Sequence, residues 1–399
     1  MSKSAFGNSA LRVVEAPPFY TEEVQLWSDD SKEECHSLHS AIPYQESSNP
    51  DLPAYFIRKY SKRGEVVLDP FCGGGTTALE SILLGRVAYA SDISQLATRI
   101  TSAKITPADI TEVTLRLQKA NLRRPINLDV YRERFAPFYD VDTFREIANL
   151  RAFLHQDFDR VASFVELMML GLLHGHSAGY LSVYSMTQVS LSPREQEVLN
   201  LQRRQTPDYR AAVPRVLRKA ASVLRDGCPS VFKLLEKRNK VAQADARNLS
   251  YIENAAVDLI VTTPPTPTGK DFPASQVQNQ WLRHWFSQAP LAEADVFSVN
   301  QLPEWLDYMN EVLLESARVV KSGGRCVLDL KEIMVRGQSG SVMTCLAQKV
   351  ATLVEENLSR FWEPECVLVN TPRYAKIKNC LKERDPSKTG DRLLVLRRR

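Results

Sequence analysis

The sequence predicts an α/β protein whose sheet is interrupted by a long helical insertion. Three observations predict it. A short apolar run breaks into a glycine turn and then a helical stretch, the middle of the chain reads as almost wholly helical, and strand-like runs return after residue 257. The chain has 399 residues, 44% hydrophobic and 25% charged, a globular composition. Its length suits one large domain with an insertion, or two smaller domains.

Residues 1–62 read as an irregular lead-in ending in a short helix, Leu52 to Tyr60. Glu65 to Leu68 is a first strand, Asp69 to Gly75 a turn, Thr76 to Leu84 a helix and Val87 to Ala90 a second strand, together a βαβ unit. From Thr106 to Lys240, apolar residues recur at three- and four-residue spacing in Val141 to Gln156, Phe158 to His174 and Pro207 to Arg225. Ser192-Pro193-Arg194-Glu195 fits a capping box with proline at the first helical position, and Gly227 fits a helix stop. Val257 to Val261 is again a strand, followed by a helix from Pro303 to Val320 and a strand from Arg325 to Leu330. A helix at Val342 to Glu356 precedes two closing strands, Cys366 to Val369 and Leu393 to Leu396, close enough in sequence to pair antiparallel.

Composition excludes several classes. Met1 to Tyr20 lacks the apolar run of a signal peptide, and Val165 to Leu173, the most apolar stretch, is too short to span a bilayer. No membrane partner is expected. The seven cysteines are scattered without a CxxC pair, which points to reduced thiols and a cytoplasmic location. His174 and His176 form an HxH, but no cysteine or carboxylate completes a metal set. They read as helix-end or packing residues, and His36 and His39 show no partner in the sequence. No metal is expected. The net charge of +4 permits a nucleic-acid partner without demanding one.

The sharpest signal is Val66-Val67-Leu68-Asp69-Pro70-Phe71-Cys72-Gly73-Gly74-Gly75-Thr76-Thr77. A buried strand enters a glycine turn and then a helix. Missing side chains let the backbone approach a ligand, and the helix start offers unpaired N–H groups. Asp92, at the end of the second strand, is placed to accept hydrogen bonds from ribose hydroxyls. The bland alternative is a tight turn with a surface aspartate. No GxxxxGK[ST] occurs, so a phosphate-binding P-loop is excluded, whereas the loop by itself leaves nicotinamide binding open.

Asp69-Pro70-Phe71-Cys72-Gly73-Gly74-Gly75-Thr76-Thr77 resembles the DPFxGxGTT motif of the DNA amino-methyltransferases, which make N4-methylcytosine or N6-methyladenine. The resemblance continues through Gln243-Ala244-Asp245-Ala246-Arg247. It then takes in Val257-Asp258-Leu259-Ile260-Val261-Thr262-Thr263-Pro264-Pro265, similar to the family's catalytic [S/T]PP segment. Arg318-Val319-Val320-Lys321-Ser322-Gly323-Gly324 resembles a turn common to the fold, and His36 to Tyr60 loosely resembles the helix beside the cofactor. The resemblance implies a Rossmann-like, seven-stranded sheet with its last strand antiparallel, built from 63–105 and 241–399, and S-adenosylmethionine in the loop. It implies that Asp69 and Phe71 face the methionine part, that Asp92 holds the ribose and that Asp245 lies near the adenine. Cys72, Gly73, Gly75, Ile93 and Ala246 would complete that site. The family places an aromatic after the two prolines, where it stacks on the extruded base; this chain has Thr266, so the expectation is weaker target binding, another aromatic such as Phe272, Trp281 or Trp285 in its place, or loss of activity.

Thr263, Pro264, Pro265 and Thr266 are the candidate catalytic residues. An exocyclic amine is a poor nucleophile because its lone pair is delocalised into the ring. The Thr263 carbonyl and hydroxyl and the Pro264 carbonyl are candidate acceptors for its hydrogens. Two prolines stiffen the loop and leave no competing N–H. The Pro-Cys dipeptide that carbon-5 methylation uses as its nucleophile is absent. The TTPP form leans to cytosine N4 over adenine N6. Asp329, at the end of a buried-looking strand, reads as structural.

The insertion, 106–240, is the candidate target-recognition module. Arg194, Arg203, Arg204, Arg210 and Arg215 are its candidate phosphate contacts, with Tyr180, Tyr184 and Tyr209 interleaved as stacking groups. The expected partner is DNA. Two rivals stand beside this reading. One is an RNA or tRNA base methyltransferase, since DPFCG also resembles tRNA guanine-N2 enzymes. The other is a non-catalytic DNA-binding protein that keeps the fold, which Thr266 motivates.

Overall fold

The computed structural model describes residues 21–24, 35–44, 49–267, 279–290, 299, 301–330, 332–337, 340–370 and 391–399. Its strands are β1 (Thr21–Val24), β2 (Val66–Asp69), β3 (Val87–Asp92), β4 (Lys240–Gln243), β5 (Val257–Thr262), β6 (Val320–Leu330), β7 (Glu332–Gly337), β8 (Gly340–Cys345), β9 (Trp362–Asn370) and β10 (Asp391–Arg398). Eight of them form one sheet in the order β1-β9-β10-β6-β5-β2-β3-β4. The expected seven strands are all present, and β1 adds an eighth at the edge, parallel to β9. β10 runs antiparallel to β9, as the spacing of the tail runs predicts, and to β6, as the resemblance implies for the last strand. The sheet reverses its order between β2 and β5, which pair in parallel, and ligands bind at such a switch point, at the strand C-termini.

Alternation along the strands divides the core. Val67, Leu259, Val261, Val327, Leu393 and Val395 pack with Phe56 and Ile57 of α1 (Asp51–Tyr60). Their neighbours Leu68, Ile260, Cys326, Leu328, Leu394 and Leu396 face the opposite side, against α12 (Leu302–Val319) and α13 (Leu346–Asn357). The predicted helix at Val342 to Glu356 is corrected: 340–345 is β8, hairpinned to β7, and the helix starts only at Leu346.

The first crossover is α2 (Thr76–Leu83) and is followed after β3 by α3 (Gln95–Ile105). Between α3 and β4 come α4 (Ile110–Gln118), the short α5 (Leu128–Val130) continuing as a π-helical turn at Tyr131–Phe135, α6 (Val141–Leu154), α7 (Arg160–Leu170), α8 (Pro193–Arg203), α9 (Ala212–Val223) and α10 (Val231–Leu235). Lys240, read from the sequence as the insertion's last residue, already belongs to β4. The helices near 160 and 212 are shorter than their periodicity suggests. Gly171 ends α7 where a side chain would collide with the Ala41 carbonyl, and the Arg210 and Ala212 amides bond to Thr143 and Glu146 side chains instead of opening a helix earlier. The α8 capping box is present, with Ser192 and Glu195 satisfying each other's amides. One apolar core joins α4, the π-helical turn, α6, α7, α9 and α10 to α2, α3 and strand β3, and α11 (Trp281–Ser287), which lies between β5 and β6 in sequence, packs into it. Among the described residues, no helix is long and apolar enough to cross a membrane.

Candidate functional site

At the carboxyl end of β2 the backbone turns through left-handed conformations at Gly73 (φ 44°) and Gly75 (φ 74°). A Cβ on Gly75 would lie 2.8 Å from Thr101 Oγ1 and 3.1 Å from Thr101 Cα, so α3 packs hard against the loop. The same helix holds the loop from beneath. The Thr101 hydroxyl lies 3.3 Å from the Gly73 carbonyl, and buried Lys104 donates from Nζ to the Gly74 carbonyl. Burial brings the Lys104 ammonium down to about 8, against a smaller opposite pull from Cys72. Burial also pushes the Cys72 thiol well above its usual range, with Asp92 and Asp69 adding to the effect. A thiol so held is a packing group, not a nucleophile.

Asp92 closes the loop from β3. One carboxylate oxygen accepts from the Gly73 amide at 3.0 Å and the other from the Ser94 amide at 2.9 Å. Each oxygen keeps a lone pair for a further donor. Burial raises its carboxyl, with these two bonds opposing the rise. From β4, the Ala244 amide donates to the Asp92 carbonyl (3.0 Å) and Gln243 Nε2 to the Ile93 carbonyl (2.9 Å), which brings the 243–247 segment to the same edge. There Asp245 pairs with Arg247 at 2.8 Å. Burial works to raise Asp245, but Arg247 outweighs it and leaves the carboxyl below its usual range. Arg247 also reaches Glu311 at 3.3 Å and lies 5.2 Å above the Tyr308 ring, which in turn sits 6.4 Å from Phe71. Asp245 and Phe71, distant in sequence, are thus bridged by Arg247 and Tyr308. The side chain of Ala246 is buried, so that residue offers a ligand only its backbone.

The end of β5 meets the end of β2. Thr262 Oγ1 donates to Asp69 Oδ1 at 2.6 Å, and the Phe71 amide donates to the same oxygen at 3.1 Å. Burial raises the Asp69 carboxyl to about 6, although those bonds oppose it. Thr263 Oγ1 lies 3.3 Å from Asp329 Oδ2, so Asp329, read from the sequence as merely structural, touches the candidate catalytic segment. The Pro265 carbonyl accepts from the buried Trp305 indole at 2.7 Å. Thr266 follows, half-buried.

Several sequence expectations need correction. Trp281 and Trp285 do not substitute for the missing aromatic. Their rings pack on Phe135 at 5.5 and 4.5 Å, inside the insertion core, and Trp281 Nε1 donates to the Leu191 carbonyl. Phe272 lies outside the described residues. Arg210 turns inward, donating to the Ser182 and Tyr180 carbonyls and pairing with Asp208. Arg215 bonds the Ala178 and Ala211 carbonyls. Both close the 177–182 turn, a structural task invisible in a one-sided list of cations. Arg194, Arg203 and Arg204 are exposed, and among the described residues no carboxylate pairs with them. Tyr209 donates to Glu146 and Tyr184 is covered by Arg203 at 3.6 Å. Tyr180 packs by His176, ring centroids 5.9 Å apart. His39, which showed no partner in the sequence, bonds Glu80 at 2.7 Å. His174 is a packing residue as expected: Nδ1 lies 2.6 Å from the Met186 carbonyl and Nε2 3.0 Å from Ser190 Oγ. Burial, with Arg283 nearby, brings it down to about 3, so it stays neutral.

Sequence reading missed Tyr44, Lys104, Arg247, Trp305 and Tyr308. Only Arg247 carried a signal, standing two residues after Asp245. Tyr44 closes the loop from the lead-in, its ring 3.4 Å from where a Gly73 Cβ would stand.

Two comparisons with known sequences agree with the resemblance. Residues 16–102 match the family model described as DNA methylase. Over 79 residues the chain is 32% identical to the type II methyltransferase M.MjaII of Methanocaldococcus jannaschii, an alignment covering 20% of this chain and 15% of that relative's length. Among solved structures, an rRNA methylase from Streptococcus thermophilus aligns at TM-score 0.31 and 8% identity, covering 88% of this chain and 98% of that one. A SAM-dependent methyltransferase from Methanosarcina mazei aligns at TM-score 0.31 and 10% identity, covering 86% and 96%. The stretch that matches the DNA methylase model, residues 16–102, holds the glycine loop and Asp92.

Proposed function

We propose that this protein is an S-adenosylmethionine-dependent DNA methyltransferase that modifies an exocyclic base amine, cytosine N4 ahead of adenine N6. The observation that carries the reading is the 2.6 Å bond between Thr262 Oγ1 and Asp69 Oδ1. It ties the glycine loop to the TTPP segment, so a cofactor methyl and a target amine presented by the two loops meet at one place. The residues fit the cofactor. The left-handed turns at Gly73 and Gly75 let backbone approach it, Asp92 retains lone pairs for ribose hydroxyls, and Phe71 with Tyr308 provides an apolar wall beside Asp245.

When bound, the cofactor supplies an electrophilic methyl group on a sulfonium. The chain's own work is positional. The Thr263 hydroxyl and carbonyl and the Pro264 carbonyl are the acceptors assigned to the amine hydrogens. The Pro265 carbonyl is already taken by Trp305 and serves as an anchor. Anchored at Thr262, Thr263 and Pro265, the loop holds its acceptors in place before the target arrives. A methyl passed from the sulfonium to the amine would leave the cofactor as its thioether and release one amine proton to solvent, so the chain's residues would hold the amine rather than attack, in accord with the protonated, buried Cys72.

Thr266 favours a second reading, a DNA-binding protein that keeps the fold without turnover, because stacking on the extruded base is worth ~1–3 kcal/mol and threonine offers no ring. Tritium transfer from labelled S-adenosylmethionine to unmethylated genomic DNA and, in parallel, to total RNA separates these. Label in N4-methylcytosine or N6-methyladenine from DNA supports the first reading and names the target atom. Label in RNA alone overturns it. No label in either, with cofactor binding intact and activity restored by Thr266→Tyr, establishes the second.

A further inference from the structure

α8 is an unusual helix in this fold. Of its residues only Gln196 is buried. It is mounted by polar bonds: Gln196 Nε2 to the Tyr184 carbonyl at 3.0 Å and Asn200 Nδ2 to the Pro137 carbonyl at 2.7 Å. The capping box and the proline in its first turn stiffen its start. Yet it leaves apolar side chains in water, with Val198 48% and Leu201 80% exposed. Arg194, Val198 and Leu201 share one face by helical spacing, and exposed Gln202 and Glu197 adjoin it. A rigid helix that keeps its apolar residues outside is built for contact rather than for packing.

The charge around it decides the contact. Many arginines of the insertion are spent on carboxylates: Arg116 on Asp159, Arg132 on Asp129, Arg145 on Asp142, Arg160 on Glu112. Those flanking α8 are not. Arg203 lies 3.6 Å above the Tyr184 ring, and Arg134, in the adjacent π-helical turn, lies 5.1 Å above Trp281. Among the described residues neither meets a carboxylate, nor do Arg194 and Arg204. Stacking fixes a guanidinium plane while leaving its N–H donors available, which suits phosphate. The mounting also leads to the site. Trp281 donates to Leu191 just before α8, and the buried guanidinium of Arg283, in the same helix as Trp281, bonds the Thr187 and Pro43 carbonyls. Pro43 precedes Tyr44, which lies against Gly73.

We propose that α8 reads duplex DNA from the major groove, with Arg194, Val198, Leu201 and Gln202 toward the base edges and Arg134 and Arg203 on the phosphates. Its length of ~16 Å suits a groove ~12 Å wide, and its side chains match the groove's chemistry: arginine for guanine, glutamine for adenine, apolar groups for the thymine methyl. The proposal rests on the DNA reading above and adds the element that recognises the site.

The test measures binding, not methylation. Affinity for a fluorescein-labelled pool of random-sequence duplexes is followed against salt, with structured RNA in parallel, for the full chain and its variants. Each phosphate contact contributes ~0.9 to the slope of log K against log salt, so Arg134→Gln with Arg203→Gln lowers the slope by about 1.8. That is roughly a tenfold smaller loss of affinity between about 50 and 200 mM salt. Arg360→Gln, an exposed arginine stacked on Phe361 away from the insertion, leaves the slope unchanged. Val198→Ala with Leu201→Ala leaves the slope and alters the sequences enriched from the pool. If the double arginine variant melts early, Arg194→Gln, a side chain with no bond to another among the described residues, supplies the arginine test: a changed set of enriched sequences supports the proposal and an unchanged one overturns it. Parent binding to DNA with slope and enriched sequences indifferent to every α8 variant overturns the proposal while sparing the DNA reading. A parent that binds cofactor and RNA but no duplex overturns both.

Discussion

Replacing Gly75 by alanine puts the packing of the glycine loop to a direct measurement. The residue stands at φ 74°, where a non-glycine residue costs ~1–2 kcal/mol. Its new methyl would stand 2.8 Å from Thr101 Oγ1 and 3.1 Å from Thr101 Cα, and the second is backbone that a rotamer change does not move. Overpacking of this kind costs ~1–3 kcal/mol, so the total is about 2–5 kcal/mol. Gly227 supplies the control: its φ is 75°, with nothing within 4 Å of an added Cβ, so Gly227→Ala carries only the first cost. Urea unfolding of the two variants gives the packing cost by difference. Calorimetric titration with S-adenosylmethionine reads the functional side. Gly75→Ala is expected to lose at least about tenfold in affinity, the equivalent of 1.4 kcal/mol of loop distortion, whereas Gly227→Ala binds as the parent does. Thr101→Ala in the Gly75→Ala background relieves the clash with the hydroxyl but not the clash with the α3 backbone, and so recovers part of the loss. Equal destabilisation by the two glycine substitutions, or unchanged cofactor affinity in Gly75→Ala, would refute the close-packing argument.

Asp69 rises from 3.8 to about 6 on burial, so its ionised form costs the fold ~3 kcal/mol above pH 6. Because the folded state holds that proton more tightly, this cost fades as pH falls from 6 towards 4, and Asp69→Asn removes that stretch of the stability–pH curve. Lys104 falls from 10.5 to about 8, so the folded state releases its proton first and stability rises with pH between 8 and 10.5. Lys104→Met flattens the rise in that window when unfolding is followed against pH, and a rise that survives rejects the assignment. Trp305→Phe deletes the 2.7 Å bond to the Pro265 carbonyl in a fully buried place and is expected to cost ~1–3 kcal/mol. If the catalytic reading holds, kcat falls more than KM rises, because the loop loses position rather than substrate contact.

Much of the frame was legible because it rests on short-range signals. Strand, glycine turn, helix and second strand follow one another within 66–92, and each announces itself by periodicity or by a turn residue. The α8 cap was legible for the same reason, since Ser192 and Glu195 satisfy each other locally. The β7–β8 hairpin was not, because Val342 to Glu356 carries enough apolar residues for either period and only the pairing with Glu332–Gly337 decides. β1 is four residues long and is a strand because β9 offers an edge. The site shows the same division. Asp69, Asp92 and the TTPP segment lie in motifs, whereas Lys104, Trp305 and Tyr308 reach the site only through the fold, from helices whose spacing says nothing of what they touch. Trp281 and Trp285 followed the same logic in reverse: near the TTPP segment in sequence, they are carried into the insertion core by α11.

The threonine after the two prolines separates two tasks that an aromatic there would combine. In the catalytic reading one is to hold the amine's acceptors still, and three bonds would serve it: Asp69 fixes Thr262, Asp329 meets Thr263, and Trp305 fixes Pro265. None of those bonds involves Thr266, so its substitution leaves the acceptor geometry untouched. The other task is to grip a base removed from its stack, worth ~1–3 kcal/mol of stacking, and nothing in residues 262–266 provides a ring for it. Target affinity then has to come from elsewhere, and a duplex offers its phosphates. Charge-assisted bonds from arginines already fixed on aromatic rings recover affinity at little entropic cost, and Arg134 and Arg203 are held in that way. If the catalytic reading holds, the stacked arginines of the insertion, which meet no carboxylate among the described residues, and the missing ring at the prolines are two sides of one arrangement, with DNA held by its backbone and the reacting amine by a prearranged loop.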